Sequence, residues 1–178
     1  DDALVLSQDR ESKLGDAGTP FYRAPEAEIN TSNTKAVDVY AVGVSLYEIF
    51  AGVPVVEQVV GDITSSLDLS AIRGVIETEK TKIESGEPDA DSQTFLKVSE
   101  ELLSKEGEEE FFNQLNESIR GVYGKPASWI YLQALLDVNP HNLPPDQLAL
   151  IRNCLQRESA IRPSIEQVLD ELGEIQKI

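Results

Sequence analysis

Apolar residues return along this chain at helical spacing, and the places where that spacing breaks define its organisation. From Thr34 or Lys35 to Ala51 nearly every face is apolar. Val37, Val39, Tyr40, Val42, Val44, Leu46, Ile49 and Phe50 cover most of the circumference, which predicts a buried central helix. Gly52 and Pro54 supply its stop. Leu96, Val98, Leu102 and Leu103, then Phe111, Phe112, Leu115 and Ile119, recur at helical intervals on either side of Gly107, which predicts a helical hairpin with an acidic outer face. Ser128 to Val138 predicts a further packed helix in which Trp129 is a core side chain. Another is expected over Asn142 to Gln156: Pro144 and Pro145 stand near its start, Asp146 suits its N-terminal dipole, and Leu148, Ile151 and Leu155 share a face. Ser164 and Gln167 have the spacing of a capping box ahead of Ile165, Val168, Leu169 and Leu172, the closing helix. Residues 1–33 carry no sustained period and contain Gly15, Gly18, Pro20 and Pro25, so they read as a loop with a short helix near its end. The fold class is mainly α.

Composition narrows the partners. The chain has 178 residues, 40% hydrophobic and 26% charged, which fits one soluble domain with a sizeable core. Lys and Arg number 15 against 32 Asp and Glu, a net charge of −17. Such a field repels phosphate backbones and anionic lipid, which argues against nucleic acid and membrane surfaces. Basic partners, or solubility alone, account for it. Glu106, Glu108, Glu109 and Glu110 are the densest charge cluster and read as a solvated helix start, with a docking face for a basic partner as the alternative. No apolar run approaches the roughly 18 residues of a membrane span, so no membrane insertion is expected, and no secretory signal opens the chain. Cys154 is the one cysteine and His141 the one histidine. An intrachain disulfide, a thiolate metal site and a supported Ser-His-Asp relay therefore drop out, and His141 reads as a loop residue.

Chemistry enters with three ordered blocks. Gly18-Thr19-Pro20-Phe21-Tyr22-Arg23-Ala24-Pro25-Glu26 resembles the loop and Ala-Pro-Glu segment that close a protein kinase's activation segment. Asp38-Val39-Tyr40-Ala41-Val42-Gly43-Val44-Ser45-Leu46-Tyr47-Glu48 follows, then Cys154-Leu155 with Arg162-Pro163-Ser164, in the family's order. The chain thus resembles the eukaryotic-type protein kinase superfamily, in a divergent, Ser/Thr-kinase-like form, over the C-terminal lobe from the Asp-Phe-Gly equivalent onward. The resemblance implies the helical C-lobe of the kinase fold with an extra helical insertion between the αF and αH equivalents. Residues 1–33 would be the activation segment, 34–61 the αF region, 62–125 the helical insertion and αG region, and 126–178 the C-terminal helices resembling αH and αI.

The same resemblance assigns roles. Glu26 and Arg162 would form a buried ion pair, and Asp38 would face the backbone amides of the catalytic loop. Thr19 would contact the catalytic Asp and a catalytic-loop Lys, with the substrate hydroxyl beside Thr19 and Pro20. Asp1-Asp2-Ala3-Leu4 falls about where Asp-Phe-Gly-Leu would sit, making Asp1 the magnesium ligand, with Asp2 and Ala3 as departures from the pattern. A frayed acidic chain end is the other reading. Ser7 and Ser12 lie where such kinases take a regulatory phosphate, or are solvated loop serines.

A Gly-rich phosphate loop, a strand Lys, an αC Glu and a His-Arg-Asp triplet precede the Asp-Phe-Gly in kinases, and none stands in these 178 residues. The chain alone is expected to be inactive, with ATP and Mg as cofactors only alongside the missing N-lobe segment. Two functions stay open. One is the C-lobe of a Ser/Thr kinase that transfers the ATP γ-phosphoryl group to hydroxyls of a protein substrate. The other is a pseudokinase or scaffold module that grips a protein partner through the insertion. A third, an unrelated helical domain with fortuitous motifs, would leave Glu26 and Arg162 far apart. The expected location is cytoplasmic, or a host cytosol if the protein is a bacterial effector.

Overall fold

The computed structural model describes residues 24–25, 34–55, 69–120 and 124–176. Among the described residues there are seven α-helices, a 3₁₀ turn and no strand: α1 Thr34–Ala51, α2 Leu69–Glu84, α3 Ala90–Leu103, α4 Glu108–Arg120, α5 Gly124–Val138, α6 Pro145–Cys154, the turn Ser159–Ile161, and α7 Ile165–Gln176. The mainly helical class read from the apolar spacing is the class observed.

α1 runs between the predicted limits but is not buried all round. Val39, Tyr40, Val44 and Tyr47 are buried, whereas Ile49 is 71% exposed and Asp38 is also exposed. The reason is geometric: the principal described neighbour of α1 is one helix, α6, and a single helix covers one stripe. Gly43 sets how closely they cross. A Cβ at that position would lie 2.6 Å from Cys154 Cβ and 3.0 Å from Leu155 Cδ2. Gly43→Ala should therefore push α1 and α6 apart, lowering stability by about 1–3 kcal/mol despite alanine's better helix propensity. The check is a lower thermal midpoint with helicity intact. At the end of α1, Gly52 adopts φ 75° and its N–H donates to Glu48 O at 2.8 Å. The Glu48 carboxylate then accepts from Val55 N–H at 2.9 Å, so the Gly-and-Pro stop works through backbone conformation and one side-chain bond.

α5 organises the rest. α2, α3 and α4 all pack on it, and it also touches α6. Phe95 of α3 meets Trp129 of α5 edge to face, ring centroids 5.8 Å apart, and Trp129 Nε1–H donates to Leu155 O at 2.8 Å. Trp129 is thus the core residue its setting suggested, with its one polar atom satisfied. Ile72, Phe95, Leu102, Phe111 and Leu115 belong to the same buried cluster as Tyr40 and Ile151. The stretch read as an insertion therefore shares its core with the C-terminal helices.

The connections follow local chemistry. Gly107 turns α3 into α4 at φ 92°, and Glu100, Glu101, Glu106, Glu108, Glu109 and Glu110 are all exposed around that turn, the acidic outer face expected. α3 starts at Asp89, whose carboxylate accepts from Ser92 N–H at 2.8 Å. The backbone and side-chain bonds from Ser92, and then the charge of Arg157, hold the Asp89 carboxyl below its usual range. Between α5 and α6, Asn139 takes a left-handed φ of 49° and its carboxamide brackets Leu143, donating to the carbonyl at 3.0 Å and accepting from the N–H at 2.8 Å. The capping box ahead of α7 is reciprocal: Gln167 N–H donates to Ser164 Oγ at 3.2 Å and Ser164 N–H donates to Gln167 Oε1 at 2.9 Å.

Candidate functional site

Arg162 stands between the 3₁₀ turn and Pro163, at the entrance to α7, and is 8% exposed. Buried arginine is tolerated only where its donors find acceptors. Here Nε–H donates to Gln156 O at 2.8 Å, Nη1 to Ala36 O at 2.9 Å and Nη2 to Arg157 O at 3.3 Å. Its guanidinium carbon also lies 5.1 Å from the centre of the Tyr40 ring, a cation–π placement. One planar fork thereby ties the first turn of α1 to the exit of α6 and the start of α7. Lysine, a point donor, cannot do this. A cleft of about 460 Å³ opens beside it, with Lys35, Val39, Ser159 and Ser164 among its walls.

Asp38 lies on the uncovered side of α1, in line with Val42, Ser45 and Ile49 at i, i+4, i+7 and i+11. Ala24, from the Ala-Pro-Glu block, is fully buried in the main core cluster, and Pro25 is half-buried. Asp1, Ser7, Ser12, Thr19, Pro20 and Glu26 lie outside the described residues. His141 is exposed in the turn after α5, as its loop setting suggested. Cys154 is buried against α1, and burial first, then the Glu171 charge, pushes its thiol up to about 11, so the side chain is a protonated thiol at neutral pH. Among the described residues no group of three or more His, Cys, Asp or Glu side chains could hold a metal ion.

A model of the protein kinase domain matches residues 5–172. The chain belongs to the protein kinase family. No curated protein and no solved structure matches it. The family match runs through α2 to α5, so these helices lie within the matched kinase domain. Kinases of this family use ATP with magnesium and act on proteins. No helix among the described residues is long and apolar enough to cross a membrane.

One pair of charges went unread in the sequence. Glu79 on α2 accepts from Arg157 Nε–H at 2.6 Å, both side chains about nine-tenths buried, and Lys82 Nζ lies 3.8 Å from the other Glu79 oxygen. Arg157 also sits 5.8 Å above the centre of the Phe95 ring. The signal that could have found half of it is the apolar spacing Leu69, Ile72, Ile76, Ile83, which makes position 79 an inward one on α2.

Proposed function

We propose that the chain is the C-terminal lobe of a Ser/Thr protein kinase, one that transfers the ATP γ-phosphoryl group to a hydroxyl of a protein substrate. The observation that supports this most is the Arg162 anchor, which joins the first turn of α1 to the entrance of α7 where the family resemblance places its structural arginine. On this reading the Glu26 carboxylate, two residues beyond the buried Ala24, meets the Arg162 guanidinium. Thr19 and Pro20 then position the substrate hydroxyl, Asp38 orients the catalytic loop, and Ser7 or Ser12 takes a regulatory phosphate. The groups that hold ATP belong to a nucleotide-binding half upstream of Asp1. What this lobe contributes is placement of the acceptor, and placement accounts for most of phosphoryl transfer. A cytoplasmic setting fits a chain with a single buried thiol.

A second reading, a pseudokinase or scaffold, is favoured by Asp2 and Ala3 standing where the family has Phe and Gly. Phosphate incorporation from ATP, measured on protein that carries this lobe together with its nucleotide-binding half, separates the two. Asp1→Ala is expected to lower incorporation by at least about 100-fold, and Thr19→Ala to weaken it. Full activity in Asp1→Ala would remove the metal assignment, and failure of the parent to bind nucleotide would favour the scaffold.

A further inference from the structure

We draw no further inference here: the strongest candidate, the open face of α1 along Asp38, Val42, Ser45 and Ile49, is a helix face for which nothing among the described residues shows what covers it.

Discussion

Arg162→Ala is expected to lower stability by roughly 3–5 kcal/mol. The variant removes the donors to Ala36, Gln156 and Arg157 carbonyls at once, and the cation over Tyr40 with them. Each buried carbonyl left unbonded costs about 1–3 kcal/mol. Arg162→Lys keeps the charge but not the planar fork, so it should recover less than half of the loss. Denaturant midpoints at constant slope measure this. A loss under about 1 kcal/mol, the usual figure for an exposed charge, would mean that α1 and α7 hold their places without the anchor.

The Glu79–Arg157 pair carries the second large effect. At 2.6 Å, with side chains 10% and 9% exposed, solvent screening is small. Removing either partner leaves the other buried and uncompensated, so Glu79→Leu and Arg157→Met should each cost about 3–5 kcal/mol. The double variant should lie close to the parent, because two apolar side chains of similar size replace the pair without an orphan charge. Chemical denaturation of the four proteins reads the coupling. Additive losses would show that the two groups act independently. A strong coupling would mean that α2 is fastened to the segment between α6 and α7, and hence that α2 and the C-terminal helices unfold together.

The parts of this fold that were legible in the sequence are those fixed by neighbours along the chain. Gly52 and Pro54 mark the end of α1 because a left-handed residue and a missing N–H act locally. Ser164 and Gln167 announce α7 because the cap closes within three residues. Gly107 separates α3 from α4 for the same reason. Long-range partners left less trace. The apolar circumference of α1 suggested burial on all sides, yet Ile49 and Asp38 are exposed, since periodicity says what a face could bury and not which element arrives to cover it. α2 was hidden by the Ser- and Glu-rich stretch around it. The partner of Glu79 lies 78 positions away, beyond the reach of any local pattern. Of the candidate site, Arg162 was found through its place before Pro163 and its resemblance to a kinase motif. Its bonds to three carbonyls and its position over Tyr40 are properties of the folded chain that no spacing encodes.

The most direct test of the kinase-lobe account is a double-mutant cycle between Glu26 and Arg162, using Glu26→Gln and Arg162→Lys with unfolding free energies measured for the parent, both singles and the double. If the activation segment closes onto the C-terminal helices as proposed, the two substitutions should couple by about 1–3 kcal/mol. Losses that simply add would place Glu26 away from Arg162 and contradict the account.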